Sequence, residues 1–594
     1  MTGLLDTVLA ALTLAGLATS TQAEEPRLRL EVLRNGVFAK QPARLLDAQG
    51  AVPLPWWRTT RGEAQLDADG RLLLQPGERA EQPMALDPQL AATLTLRGHV
   101  RGRGWVVVRD GAEGEVRCEV EGDFVVQGAE LGARLGRPLV PRLLVRLESR
   151  EGTTSWGPMQ ATAEFPCPTA SALRSEVERE LVRILREWEA HALDVHGPRR
   201  THFVSRVFDI DTAAELQRLP VCAPYIPLWS TLREVALRAN DVALRELYDA
   251  WWRDYVELGF APETGLPTVW DPLRDEPLLD QPVEIGLPLG FLVDVAFKGP
   301  PEHRQVALTQ AVRIADTVLE HGLLPDGSMA ASYVPRNGRP NLDTALLRRL
   351  DVPAQLARLS ALTGNQRYLR AAHEALATLE YTHHWAGSWQ SIDPAFDDEY
   401  GHYGARAALV ARDVPKDALF KRFALEGWAH FEPLWAGAVS LGGNLAADQV
   451  RCWQLLADLA LVEPTVLPRA QPLLLDAAYA HMQGEQYGNG AWGDVTIYHY
   501  DPRTALQVGD LPGTPSNLLQ GLATLAAPHL QLPADEVRAR YTSVLRSTQA
   551  QYRRTYGFLV DRAPRAGANT AAGSLCVLLG LERMYVALSA PAPR

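Results

Sequence analysis

The segment Ser391–Arg406 concentrates side chains that move protons: Asp393, Asp397, Asp398, Glu399, Tyr400, His402 and Tyr403. If Glu399 opens a helix, Asp398 and His402 stand four residues apart and Glu399 and His402 three apart, on one helical face. That spacing lets a carboxylate hold and tune an imidazole, or lets the two share a cation. The plainer account makes Asp397 or Asp398 an N-cap and Glu399 a residue favoured by the helix dipole. A cap explains one carboxylate and leaves the neighbouring tyrosines and histidine unexplained. A second segment, Tyr487–Asp494, reads YGNGAWGD and continues to Tyr498, His499 and Tyr500. Its glycines allow close approach to backbone, and no Lys-Ser/Thr follows to make a phosphate loop. Trp492 and Tyr498 can stack on a ring-shaped ligand, as can Trp389 in the first segment, and Asp494 can serve as acid, base or cap. The alternative for this segment is a tight turn around a core tryptophan.

Two weaker loops carry Glu263, Trp270 and Asp271 in APETGLPTVWDP and Asp326 in LLPDGSMAASY, where Pro-Asp-Gly signals a turn. Asp209 and Asp211 in VFDIDT read as the start of a helix over 212–218. This pair is similar to the acidic motif of protonating terpene cyclases, but a third acid and the repeated Gln-Trp motif are missing. GxSxG, HExxH and the dinucleotide glycine fingerprint are all absent, which speaks against a serine hydrolase, a zinc protease and a dinucleotide enzyme. No metal site and no cofactor is expected.

Helices must position these loops. Leu356, Leu359 and Leu362 share one helical face; Thr363-Gly364-Asn365 ends that helix and caps the next, whose stripe is Leu369, Ala372, Leu376 and Leu379. The outcome is an antiparallel hairpin with a minimal connection. Its run ALTGNQRYLRAAHEAL resembles the hairpins of (α/α) toroids, a scaffold of many glycoside hydrolases, polysaccharide lyases and sugar epimerases. Helical periodicity begins near Ser171 and recurs near 212–218, 228–240, 242–258, 302–321, 353–362, 366–384, 402–411, 416–430, 445–461, 467–482, 516–527, 533–552 and 567–588. No convincing strand interrupts it, and roughly a dozen paired helices suit an (α/α)6-type toroid; an open bundle and a solenoid are the alternatives, and no strict repeat favours a solenoid. The long connections Gly259–Gly290, Leu323–Asp351, Ala386–Gly401 and Gly484–Pro515 are where function is expected.

Upstream, short runs such as Leu28–Val32, Trp105–Val108 and Val116–Val120 alternate with Gly, Asp and Pro, as in an all-β sandwich. The words RNGVF, PLPWWRTT, DADGRLLLQPG and RLLVRLES…TSWGPMQATAEF resemble a jelly-roll carbohydrate-binding module. That resemblance makes Trp56 and Trp57 an exposed sugar platform, with packing against the next domain as the alternative. The expected organisation is a secretory signal over 1–23, the sandwich over 26–168 and the toroid over 171–590. Leu4–Ala18 is apolar and Thr21-Gln22-Ala23 resembles a cleavage site, although the leader carries Asp6 and no basic residue.

Across 594 residues, 46% are hydrophobic and 22% charged, enough for large cores. A net charge of −12 speaks against nucleic acid or an anionic membrane as the main partner, and no membrane span is visible. The five cysteines are scattered without a CxxC, so they read as buried small residues, with a Cys118–Cys167 bridge as the alternative.

The resemblances imply a secreted or periplasmic enzyme acting on a polysaccharide or oligosaccharide. For hydrolysis, Asp398 or Glu399 pairs with Asp494, and Trp389, Trp492, Tyr403, Tyr498 and Trp270 shape the subsites. For β-elimination on a uronic-acid glycan, Tyr400, His402 and Tyr403 become acid and base, and Arg406 or Arg451 neutralises the substrate carboxylate. A non-catalytic glycan-binding protein, with the acids as caps, is the reading of a different class.

Overall fold

The computed structural model describes residues 25–33, 35–38, 57–60, 65–85, 88–110, 114–139, 142–194, 199–204, 206–208, 215–218, 221–222, 226–239, 241–342, 350–379, 398–440, 446–482, 495–499, 507–511, 515–553 and 571–589. A curled antiparallel sheet is followed by a helical body. The signal-like leader, Trp56, Trp389, Trp492 and Asp494 lie outside the described residues.

Nine strands make one sheet: β1 Arg27–Glu31, β2 Arg58–Thr59, β3 Gln65–Leu66, β4 Leu72–Leu74, β5 Arg79–Ala85, β6 Thr95–Arg109, β7 Glu115–Gln127, β8 Arg142–Trp156 and β9 Gln160–Pro166. In β7 every second residue is buried: Val116, Cys118, Val120, Phe124 and Val126 face in while Glu115, Arg117, Glu119 and Glu121 face out. Strand β6 pairs with β7 along one edge, and on the other with β9 at its start and β8 beyond it. The register shifts between Val100 and Arg103, where Gly102 holds φ 93°, so the long strand bends and serves different neighbours at its two ends. Trp57, a candidate sugar platform, is instead 3% exposed, donates from Nε1 to the Asn35 carbonyl at 3.1 Å and packs on Phe38. The Cys118–Cys167 bridge is also corrected: both are free thiols, Cys118 buried within the sheet.

The body helices are α1 Ala170–His191, α2 Ile226–Arg238, α3 Val242–Leu258, α4 Gly286–Lys298, α5 Pro301–His321, α6 Asp351–Thr363, α7 Gln366–Leu379, α8 Asp398–Asp413, α9 Ala418–Ser440, α10 Ala446–Val462, α11 Leu467–Met482, α12 Pro515–Leu525, α13 Ala534–Tyr552 and α14 Ala571–Ser589. The even-numbered helices pack on one another in succession from α2 to α14, and α14 returns to α2, closing a ring. The odd-numbered helices from α3 to α13 each pack on the even helix that precedes them, and α1 packs on α14. The ring is thus of toroid type, with seven inner helices among the described residues, one more than six hairpins supply.

Two sequence expectations fail locally. The helix expected over 212–218 is a strand, Glu215–Arg218, paired with Arg206–Phe208. Further short strand pairs join the connections, such as Val283–Glu284 with Ser332–Tyr333 and Val495–His499 with Gln507–Leu511. Conversely, α4 is a helix that was not expected, and its first five residues fall in the connection expected over Gly259–Gly290. Its sequence GLPLGFLVDVAFK is apolar on most faces because the helix is enclosed on most faces, which erases amphipathic period.

The sheet docks on α13. Arg546 reaches Glu25 at 2.5 and 2.8 Å and Glu176 of α1 at 3.3 Å, while Arg538 donates to the Pro168 carbonyl at 2.8 Å.

Candidate functional site

The connections of the ring are unequal: with the exception of 441–445, those that lead into an even helix are the longer. Passages from an even helix to the next odd one are short: 239–241, 299–300, 364–365 and 414–417. Passages from odd to even include 192–225, 259–285, 322–350, 380–397, 483–514 and 553–570. A short passage forces an antiparallel hairpin, so the long passages deliver the chain to the N-terminal ends of even helices.

Those ends lie at one mouth, because neighbouring even helices run parallel. A Cβ on Gly286 would sit 2.6 Å from the Asp351 Cβ, one on Gly290 would sit 3.2 Å from Gln355 Cδ, and Asp294 accepts from Arg358 Nη2 at 2.6 Å. From α6 to α8, Arg406 Nε donates to Asp351 Oδ1 at 2.7 Å and Arg358 Nε to Asp413 Oδ2 at 2.7 Å. The two rungs are seven residues apart on both helices, two helical turns, with acid and base exchanged between them. Gly404 against Leu455 and Arg412 against Asp458, at 2.8 Å, join α8 to α10 with the two chains running the same way.

At this mouth α8 begins at Asp398, so Asp398, Glu399 and His402 share its first turns at the anticipated spacing. The ends of helices that converge there favour anionic groups. Asp351, missed in the sequence, stands at the start of α6 and is 6% exposed. Tyr403 is only 1% exposed and belongs to the core of the ring. Arg406 is matched by Asp351, with 29% of its side chain exposed. Tyr498 lies in the strand Val495–His499, opposite Val508.

Trp270 needs correction as a subsite residue. It lies on the strand Val269–Asp271, is fully buried, packs on Phe203 at 5.6 Å and lies under the Arg199 guanidinium at 5.7 Å. A hydrophobic aromatic next to Gly-Pro turns gave a signal for both surfaces and cores, and here burial wins. Neighbouring Asp271 caps a turn, accepting from the backbone of Leu273 at 2.9 Å and of Arg274 at 3.3 Å. Asp326 does the same for Ser328 at 3.0 Å.

Deeper in the ring lies a layer of charge. Arg358, 2% exposed, bonds Asp294, Gln355 and Asp413, joining three even helices. Burial pushes the Asp294 carboxyl up, but the Arg358 and Lys298 charges outweigh it and hold it below the usual range. Asp458 is pushed up by burial despite Arg412. Burial and the like charge of Glu234 push Glu582 up, and burial pulls its neighbour Arg583 down. Sequence gave one signal for this layer: charged residues inside otherwise apolar helical runs, as in LARLSAL and LLGLERMY. Among the described residues no cluster of His, Cys, Asp and Glu is arranged to hold a metal ion, and no helix is long and apolar enough to cross a membrane.

No family model matches the chain, and no curated protein matches it. Among solved structures it is similar to an alpha-1,2-mannosidase from Trichoderma reesei, at 10% identity over 72% of this chain and 95% of that one, with a TM-score of 0.45. It is also similar to a D-mannose isomerase, at 12% identity over 70% and 97% of the two chains and a TM-score of 0.42. A family 76 glycoside hydrolase from a bovine Bacteroides thetaiotaomicron strain is similar at 11% identity over 80% and 97%, with a TM-score of 0.35. All three are named as enzymes of carbohydrates.

Proposed function

We propose that the protein is a secreted or periplasmic carbohydrate-active enzyme that hydrolyses glycosidic bonds of a polysaccharide or oligosaccharide at the mouth of the helical ring. The observation that carries this reading is the delivery of the long connections to one mouth, where α8 opens with Asp398, Glu399 and His402. A hydrolase needs one carboxylic acid to protonate the leaving oxygen and one carboxylate to activate water or attack the sugar. Asp398 or Glu399 takes one role and Asp494, from the connection 483–514, takes the other; Trp389, Trp492 and Tyr498 form the subsites. In the same reading the sheet over 26–168 is a jelly-roll-like carbohydrate-binding domain, 171–590 is the catalytic toroid, and 1–23 is a signal peptide.

Two observations weigh against β-elimination on a uronic-acid glycan. The positive charge of Arg406 is already matched by Asp351, and Tyr403 is buried in the core rather than presented as a base. Incubation with neutral and uronic-acid polysaccharides, following new reducing ends and the ultraviolet absorbance of an unsaturated sugar, tests the assignment. New reducing ends without absorbance, abolished in Asp398→Asn or Glu399→Gln and in Asp494→Asn, are expected. Absorbance rising with the reducing ends would replace hydrolysis by elimination, and binding without turnover would make the protein a glycan-binding one.

A further inference from the structure

The outer face of α1 carries a groove that the ring does not fill. Leu173, Val177, Leu181, Ile184, Leu185 and Trp188 turn inwards and are buried, and α1 packs on α14. The opposite stripe, made of Ser175, Glu178, Arg179, Val182 and Arg183, lines an open groove of about 400 Å³. These five positions follow the helical repeat, so their side chains share one side of α1. Ser175, Arg179 and Arg183 are exposed, while Glu178 and Val182 are half-buried.

The two arginines stand out because most other charges of the helix are answered. Glu176 pairs with Arg546 at 3.3 Å, Arg186 with Glu189 and with Asp241 at 2.9 Å, Glu187 with His191 at 3.4 Å, and Glu180 with Arg553. Arg174, next to Ser175 in the chain, lies over the Tyr585 ring of α14 at 5.6 Å. Among the described residues, no acid pairs with Arg179 or Arg183. The pair stands one helical turn apart, near enough to reach one ligand, and two like charges at that spacing repel each other. An anion between them turns that repulsion into attraction, and the planar guanidinium forks suit an oxyanion. On a chain of net charge −12 this unmatched positive pair runs against the prevailing sign.

The remaining residues of the groove narrow the class of ligand. Val182 packs on the core and offers an apolar floor. The Ser175 hydroxyl can donate or accept, and the Glu178 carboxylate accepts. A sugar ring with an acidic substituent presents the matching groups together: an oxyanion, hydroxyl donors and an apolar face of C–H bonds. The volume of about 400 Å³ falls within the range of roughly 300–1,000 Å³ usual for small-ligand sites.

We propose that this groove binds an acidic sugar residue of a glycan chain, one bearing a carboxylate or a sulfate. Arg179 and Arg183 hold the oxyanion, Glu178 and Ser175 take ring hydroxyls, and Val182 lies under the ring. Binding on the outer wall requires no turnover at the mouth, so it stands or falls apart from the hydrolytic reading.

The test is calorimetric titration of the full chain with three oligosaccharides of equal length: one of uronic acids, one sulfated and one neutral. Saturable binding of an acidic oligosaccharide that weakens as sodium chloride rises is expected. In the double variant Arg179→Gln with Arg183→Gln, that affinity is expected to fall by about tenfold. The unfolding midpoint and any affinity for the neutral oligosaccharide are expected to stay unchanged, because both side chains are exposed. A variant-sensitive response to uronic acids alone identifies a carboxylate as the recognised group, one to the sulfated chain alone identifies a sulfate, and one to both identifies the shared oxyanion. Acidic oligosaccharides that do not bind, or that bind the double variant as tightly as the wild type, would overturn the proposal. An equal loss of affinity for the neutral oligosaccharide would overturn it as well.

Discussion

Replacing Arg358 by methionine isolates what the charged layer does for the ring. The side chain is 3% exposed, and its bonds to Asp294, Asp413 and Gln355 span 2.6–2.7 Å. Removing one member of a buried ionic cluster leaves the others uncompensated, at a cost of about 3–5 kcal/mol. Asp413 keeps Arg412 at 2.8 Å, so most of the damage falls on Asp294. In the wild type, burial raises the Asp294 carboxyl and the charges of Arg358 and Lys298 lower it further than burial raises it. Its depressed folded value adds stability above the unfolded carboxylate range near about 3.9, lost as pH falls through the folded value. Without Arg358, burial acts against Lys298 and Arg233 only, and the folded carboxyl moves up. Ionised Asp294 then destabilises the variant at neutral pH, and protonation relieves it. The deficit, measured by urea unfolding, is therefore expected to be largest near pH 7 and to shrink towards pH ~4–5. A deficit below about 1 kcal/mol, or one that stays constant between these limits, would refute the role given to the buried cluster.

Other consequences are simpler to read. Gly286→Ala places a methyl group 2.6 Å from the Asp351 Cβ, so α4 must move away from α6; a loss of about 1–3 kcal/mol is expected in chemical denaturation. Gly104→Ala sets a methyl 2.5 Å from the buried Trp156 ring and is expected to cost about 1–3 kcal/mol with a changed near-ultraviolet spectrum. Asp398→Asn or Glu399→Gln is expected to lower kcat on the hydrolysed glycan by about 10²–10⁴-fold with the unfolding midpoint unchanged, whereas Trp270→Phe is expected to lower the midpoint and spare KM. Thiol titration is expected to find Cys118 and Cys167 reduced, with Cys118 reactive only after denaturation because burial holds its thiol up.

Legibility in the sequence followed periodicity. The hairpin Asp351–Leu379 was readable because its apolar stripes, its Gly364 in the left-handed region at φ 71° and its capping Asn365 all agree. Helix α4 was not, because a helix buried on most faces carries no amphipathic signal and its Gly286, Gly290 and Pro288 mimic loop punctuation. Residues 215–218 read as helix from local propensity and pair as a strand because a partner at Arg206–Phe208 is supplied by the tertiary structure. At the site, the α8 carboxylates stood out by density, whereas Asp351 passed as an ordinary first-turn acid. Its role depends on Arg406, 55 residues away in sequence.

The two rungs between α6 and α8 link the charged layer to the mouth. A slip of α8 by one turn against α6 would bring Asp413 away from Arg358 and Arg406 away from Asp351 together, since the rungs share one seven-residue spacing. Antiparallel exchange is also penalised, because the upper rung has its acid on α6 and the lower has its acid on α8, so a reversed helix would oppose like charges. Apolar packing alone tolerates sliding along a helix face; paired charges of opposite sense do not. The first turn of α8, with Asp398, Glu399 and His402, is thereby fixed in height relative to Asp351 by groups that touch no substrate. Exchanging the charges of the upper rung, in the double variant Asp351→Arg with Arg406→Asp, would restore one pair but give each helix two like charges two turns apart. It is expected to recover only part of the stability lost in either single variant, and full recovery would show that the rungs act independently and do not set the register.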